Sequence, residues 1–119
     1  MQTRILLVDD EPALGEMMRL SLEEAGFDVF LANSAAEAFS AFRSQVFDLA
    51  ILDEMMPGYK GHELAACLKG YEPDLPIILA SAFPQKAFPG VDYTLLKPVA
   101  PEELRRLIRS IVPGNSAAA

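Results

Sequence analysis

Residues 49–53 read Leu-Ala-Ile-Leu-Asp, four apolar residues in a row that stop at an acid, with Pro57-Gly58 shortly behind. A strand with one buried face alternates apolar and polar residues. An unbroken apolar run of this length therefore describes a strand buried on both faces, as in a parallel sheet covered by helices. Pro57-Gly58 marks the loop that follows. Asp53 thus stands at the carboxyl end of a strand, the edge where open α/β sheets bind their ligands.

The same grammar recurs along the chain. Arg4-Ile5-Leu6-Leu7-Val8 is a second apolar run ended by acids, Asp9-Asp10-Glu11, and Pro12 suits the first turn of a helix. Leu14, Met17, Met18, Leu22 and Ala25 then form a helical apolar stripe closed by Gly26, and Phe27 to Leu31 reads as a strand. Ser34 with Glu37 has the form of a capping box, and Ala35, Ala38, Phe39 and Phe42 supply the apolar face behind it. Leu64, Ala65 and Leu68 predict a helix up to Gly70, before a strand over 77–80 that ends at Ser81. Thr94-Leu95-Leu96, ahead of Lys97-Pro98, is a short fifth strand. Pro101-Glu102-Glu103 opens a last helix with the stripe Leu104, Leu107, Ile108 and Ile111, stopped by Pro113-Gly114.

Strands alternating with helices at this spacing predict right-handed crossovers and a parallel sheet between two helical layers. The expectation is an α/β, flavodoxin-like (βα)5 three-layer sandwich with strand order 2-1-3-4-5, whose switch point lies between strands 1 and 3. One domain is expected over residues 1–113, with 114–119 a disordered tail or an expression remnant. With 119 residues, 51% of them hydrophobic, the chain can bury a core without disulfides or structural metals. The single Cys67 has no internal partner and no signal-peptide layout precedes the first strand, so a reducing cytoplasm is the expected setting. No apolar run approaches the roughly 20 residues that cross a bilayer. A net charge of −7 argues against direct binding of nucleic acid.

In that topology Asp9, Asp10 and Asp53 end the two strands at the switch point, neighbours about 4.8 Å apart. Carboxylates so close raise one another's pKa unless a cation compensates, and an oxygen-only cluster suits Mg²⁺ better than Zn²⁺. Lys97 and Ser81 end the fifth and fourth strands and bring a fixed positive charge and a hydroxyl to the same edge. Two acids that hold Mg²⁺, a third free to attack, a lysine and a hydroxyl make a site for an aspartyl phosphate, with Asp53 as nucleophile.

Leu-Val-Asp-Asp-Glu-Pro at 7–12, Asp53 with Pro57 and Gly61 behind it, Ser81-Ala82 after an apolar strand, and Lys97-Pro98 resemble the receiver domain of two-component response regulators. The resemblance implies that Asp53 takes a phosphoryl group from a sensor histidine kinase or phosphotransfer protein, or from a small phosphodonor. It also implies Mg²⁺ held by Asp10, Asp53 and the Met55 main-chain carbonyl, with Asp9 acting through a metal-bound water. By the same likeness Lys97 binds the phosphoryl group and Ser81 moves toward it. Such a domain is no enzyme beyond its own phosphorylation and dephosphorylation. It signals to a downstream protein partner or an output domain, and its oligomeric state stays open.

Two departures from the family pattern stand out. The stretch from Ser81 to Lys97 is about six residues shorter than usual and carries Pro84 and Pro89, so the helix between the fourth and fifth strands is expected to be one turn at most or absent. The aromatic expected three residues before the lysine is Thr94; Tyr93 lies one place off and, by strand alternation, on the other face. Signalling is then expected to use the 82–92 connection, or the side formed by the first and last helices. Met55 and Phe83, apolar where the family flanks the path of attacking water, predict a persistent phosphoryl group.

Rival readings each conflict with a residue at a named position. A Mg²⁺-dependent phosphohydrolase would need an acid where Met55 stands, and a flavin-binding flavodoxin would need Gly, Ser or Thr amides where Asp9-Asp10-Glu11 stands. A receiver-like module that only docks partners would lack Asp53 or Lys97, and both are present. His62, with no Cys or His neighbour, reads as an exposed residue without a role, and Cys67 as small core filler. Tyr59-Lys60 read as a mobile loop, and Arg105, Arg106 and Arg109 as a solvated face near a helix C-terminus.

Overall fold

Each apolar run of the sequence becomes a strand and each periodic segment a helix. The computed structural model describes residues 2–83 and 87–113. Its elements are β1 (Arg4–Val8), α1 (Pro12–Glu24), β2 (Asp28–Ala32), α2 (Ala35–Ser44), β3 (Leu49–Asp53), α3 (Gly61–Tyr71), β4 (Ile77–Ser81), β5 (Tyr93–Leu96) and α4 (Pro101–Ile111). All strand pairs are parallel and their order is 2-1-3-4-5, as expected. Central β3 is buried at every residue, which is why its sequence does not alternate.

Strand alternation divides the apolar residues between two cores. Leu6, Val8, Ala50, Leu52, Ile77 and Leu79 meet Ala38, Leu64 and Leu68 on the α2/α3 side. Ile5, Leu7, Ile51 and Ile78 meet Leu22, Leu104 and Ile108 on the α1/α4 side. Each fully buried aliphatic side chain contributes about 1.5–3 kcal/mol, so burial on both faces of the sheet drives the fold.

The termini follow local chemistry. Pro12 occupies the first turn of α1, and Gly26, at φ 97°, takes the left-handed conformation that closes it. Ser34 Oγ accepts from Glu37 N at 3.1 Å, while the Glu37 carboxylate accepts from Asn33 N at 2.9 Å, one residue before the partner a capping box would give it. β2 starts one residue later than expected, because Phe27 N bonds Leu22 O and so belongs to the turn that ends α1. α3 runs through Gly70 to Tyr71, whose ring packs on Phe39 and Phe42; Pro73 lies just beyond.

The inward stripe of α1 also differs. Leu14 and Met17 are exposed, Met17 by 68%, while Gly15 and Leu22 are buried and Met18 packs on the core. A Cβ on Gly15 would meet Leu31 Cδ1 at 3.0 Å and Asp9 Cβ at 3.4 Å, so the helix turns its glycine toward the sheet to come this close.

Between β4 and β5, the described residues 82–83 and 87–92 contain no helix, in line with the expected loss. Residues 84–86 of this connection, like the expected tail at 114–119, lie outside the described residues. The connection is fastened to α3 instead. Gly90, at φ 86°, lies so close that a Cβ would touch Ala65 O and Ala66 Cα at 3.4 Å. Asp92 Oδ2 accepts from Ile77 N at 2.8 Å and pairs with Lys69 Nζ at 2.8 Å, while Phe88 and Val91 pack on the α2/α3 core. Among the described residues no helix is long and apolar enough to cross a membrane.

Candidate functional site

The acids are delivered by strand ends, because a parallel sheet lines up its carboxyl termini along one edge. Asp9 and Asp10 follow β1, Asp53 ends β3, Ser81 ends β4 and Lys97 follows β5. Register keeps them together: Asp53 lies opposite Ala80, Ser81 lies opposite Leu96, and Lys97 N bonds Ser81 O at 3.0 Å. One carboxylate oxygen from each of Asp9, Asp10 and Asp53 falls within 4.8 Å of the others. Lys97 Nζ donates to Asp53 Oδ1 at 3.0 Å.

Burial sharpens these charges. Asp53 is 4% exposed and Asp9 6%, while Asp10 is half-buried. Burial pushes the Asp9 carboxyl above its ordinary value; the hydrogen bond from Glu11 N and the Lys97 charge oppose it, and the charges of Asp53 and Asp10 reinforce it. For Lys97, burial pulls down, but the hydrogen bond and charge of Asp53, with Asp9 and Glu11 behind them, leave its pKa raised. The ammonium is therefore a permanent charge at neutral pH. One ammonium among three carboxylates leaves excess negative charge, and the donors are hard oxygens at the ends of two neighbouring strands, which fits Mg²⁺. A groove of about 620 Å³, bounded by Asp10, Met55 and Tyr59, opens beside the acids.

The loop behind Asp53 is held tightly. Met55 N donates to Asp53 Oδ1 at 3.3 Å, and Gly61 N bonds Glu54 O at 3.0 Å. A Cβ on Gly61 would stand 2.3 Å from Asp53 O and 2.9 Å from Glu54 Cα, both backbone atoms, so only glycine lets the start of α3 lie against the acid's own carbonyl. Ser81, 3% exposed, has its Oγ accepting from Phe83 N at 3.0 Å. Met55 and Phe83 are both largely exposed.

A profile of the response regulator receiver domain matches residues 5–109. The chain belongs to this family. Response regulator MprA of Mycobacterium tuberculosis is 38% identical to it over 127 aligned residues, covering 98% of this chain and 55% of MprA. The chain thus spans about half the length of the curated relatives it matches. Among solved receivers, the response regulator TrrA of Thermotoga maritima, in complex with Mg²⁺ and beryllofluoride, is 32% identical with a TM-score of 0.86, over 93% of this chain and 100% of that one. TrrA is also solved in complex with histidine kinase ThkA, at 32% identity and a TM-score of 0.85, over 93% of this chain and 99% of that one.

The structure clusters Asp9, Asp10, Asp53 and Lys97, sets Ser81 at the end of neighbouring β4 and Met55 in the turn after Asp53, and joins Glu54, His62 and Phe88 nearby. His62 is not an isolated exposed residue: its Nδ1 lies 2.6 Å from Glu54 Oε2, its backbone N donates to Glu54 Oε1 at 2.8 Å, and its ring stacks on Phe88 at 4.0 Å between centroids. A search for Cys or His partners passes over a glutamate eight residues back across a tight loop. The available signal was the acid placed next to Asp53 and a histidine placed next to the loop-closing Gly61. Cys67 is half-buried rather than core. Of the three arginines, Arg106 and Arg109 are exposed, as a solvated face requires, Arg109 while lying over the Phe27 ring; Arg105 is half-buried and donates to Ser21 Oγ on α1.

Proposed function

We propose that this receiver domain accepts a phosphoryl group on Asp53 from the phosphohistidine of a sensor histidine kinase or phosphotransfer protein. The phosphorus–nitrogen bond of the donor breaks as a phosphorus–oxygen bond to Asp53 forms, so the donor imidazole is the leaving group. Asp10, Asp53 and the Met55 main-chain carbonyl would hold Mg²⁺, with Asp9 reaching it through water. When bound, the metal supplies positive charge against the phosphoryl oxygens. Lys97, hydrogen-bonded to Asp53 in the unphosphorylated chain, transfers its hydrogen bond to a phosphoryl oxygen. Ser81 releases its bond from Phe83 N to reach another, which ties the chemistry to the β4–β5 connection.

The observation that carries this reading is the buried Asp53 within 4.8 Å of two further carboxylates and 3.0 Å from a lysine ammonium. The TrrA structures support the Mg²⁺ and kinase parts by likeness. The domain is no enzyme beyond its own phosphorylation and dephosphorylation, acts in the cytoplasm, and passes its signal to a protein partner or output domain.

The test is incubation with a small phosphodonor and Mg²⁺, followed by intact-protein mass measurement. A gain of one phosphoryl group that disappears in Asp53→Asn and on chelation of Mg²⁺ is expected. No gain with either a phosphodonor or a cognate kinase would leave only partner docking as the domain's role.

A further inference from the structure

A cavity of about 700 Å³ is lined by Glu54, Met55, His62, Ser81, Phe83 and Phe88, among others. Glu54 stands between Asp53 and Met55 in the chain, and each of its polar groups is engaged. Its N bonds Ala80 O at 3.0 Å, its O accepts from Gly61 N at 3.0 Å, and its two carboxylate oxygens face His62 N and Nδ1 at 2.8 and 2.6 Å. The carboxylate is largely buried, with 12% of the side chain exposed. A shift of the 53–55 turn therefore carries the His62 ring with it.

The ring in turn lies flat on Phe88, with 7° between planes. Phe88 is part of a unit pinned on one side by Gly90 against α3 and on the other by Asp92 to β4. Toward its start, the same connection leaves β4 at Ser81. The 53–55 turn, which carries the phosphoacceptor, and the β4–β5 connection thus touch each other through the His62 imidazole.

We propose that the Glu54–His62–Phe88 stack couples the state of Asp53 to the conformation of residues 87–92, in a chain whose described β4–β5 residues form no helix. The proposal rests on the reading of Asp53 as phosphoacceptor. His62 acts here as a positioning residue and touches no reacting atom. The coupling is a mechanical one: a carboxylate clamp on one edge of the ring and a stacked phenyl on its face tie the imidazole to both segments.

Beryllofluoride with Mg²⁺, the combination bound to TrrA, stands in for the phosphoryl group. Its binding is followed by fluorine NMR, and amide hydrogen exchange of residues 87–92 is followed separately. The parent is expected to change exchange at one or more of these amides by about threefold or more on saturation. His62→Leu and Phe88→Leu are expected to bind beryllofluoride yet show less than half of that change. Should His62→Leu fail to fold, His62→Asn keeps a donor toward Glu54 while removing the ring stack, and it is expected to lose the coupling likewise. A full response at 87–92 in the folded variants, or none in the saturated parent, overturns the proposal and leaves the phosphoacceptor reading intact. A parent that neither binds beryllofluoride nor takes a phosphoryl group overturns both.

Discussion

Asp9 is a charge held where water cannot stabilise it. Burial first, and the carboxylates of Asp53 and Asp10 next, raise its pKa in the fold above the 3.8 of an unperturbed aspartate. The folded state then binds this proton more tightly than the unfolded chain does. The stability this brings is fully present below the unfolded value and is lost as pH rises through the folded one. In EDTA at neutral pH, Asp9→Asn is expected to be more stable than the parent, with a Tm higher by a few degrees. The gap should close as pH falls toward 3.8, and a gap independent of pH would remove burial of the charge as its cause. Saturating Mg²⁺ should raise the Tm of the parent by more than that of the variant, because a metal that binds only the folded state stabilises it by mass action.

Met55 and Phe83 set a second residue-scale expectation. Both are exposed beside the site, and a thioether and a phenyl ring hold no water in line for attack on an aspartyl phosphate. The phosphorylated domain is expected to persist for minutes or longer after removal of the donor, followed by mass. Met55→Glu, which brings an acceptor to the same place, should shorten that lifetime at least about tenfold. Decay within seconds in the parent would show that some other group activates the water.

The β4–β5 connection keeps its shape by contacts with α3 rather than by a helix of its own. Asp92 closes it twice, as acceptor for Ile77 N and as partner of Lys69. Asp92→Ala leaves an N–H at the start of β4 without its acceptor and is expected to cost about 1–3 kcal/mol, whereas Asp92→Asn keeps an acceptor and should cost less than half as much. Thermal and denaturant unfolding of the two variants measures the difference. Equal losses would assign the effect to the Lys69 ion pair alone.

At this scale the sequence is readable where one rule acts and opaque where two compete. Five strands, their order, the Pro12 and Gly26 boundaries and the short β4–β5 connection all follow from apolar runs and breaker residues. Asp9, Asp10, Asp53, Ser81 and Lys97 are legible as a candidate site because each stands at or just past the carboxyl end of a strand and parallel strands share an edge. The face of α1 departs from its apolar stripe because hydrophobicity cannot mark Gly15 as the residue turned inward; close approach to Leu31 decides that. Gly70 did not end α3 because the rings of Phe39 and Phe42 hold Tyr71 one step further. His62 escaped for a related reason: its partners Glu54 and Phe88 come from a loop and a connection whose approach only the fold determines.

At the scale of the whole molecule, the sheet is a wall between two cores, and α4 seals half of one of them. Leu104 and Ile108 are 1% and 0% exposed, and Leu107, Ile111 and Val112 pack partly buried beside them. At about 1.5–3 kcal/mol for each fully buried side chain, Leu104 and Ile108 alone, before the smaller share of their three neighbours, are a large part of the net stability of about 5–15 kcal/mol that a domain possesses. A chain cut after residue 100 is therefore expected not to fold. It also uncovers Ile5, Leu7, Ile51 and Ile78, the strand residues whose regular alternation positions Asp9 and Asp53 at the edge. A chain cut after Pro113 retains every one of these contacts. It is expected to unfold in a single transition within about 2 °C of the full sequence and to take up the same single phosphoryl group. A lower Tm or slower phosphorylation in the 1–113 chain would place part of the domain's stability beyond Pro113, moving the boundary of the domain toward the C-terminus.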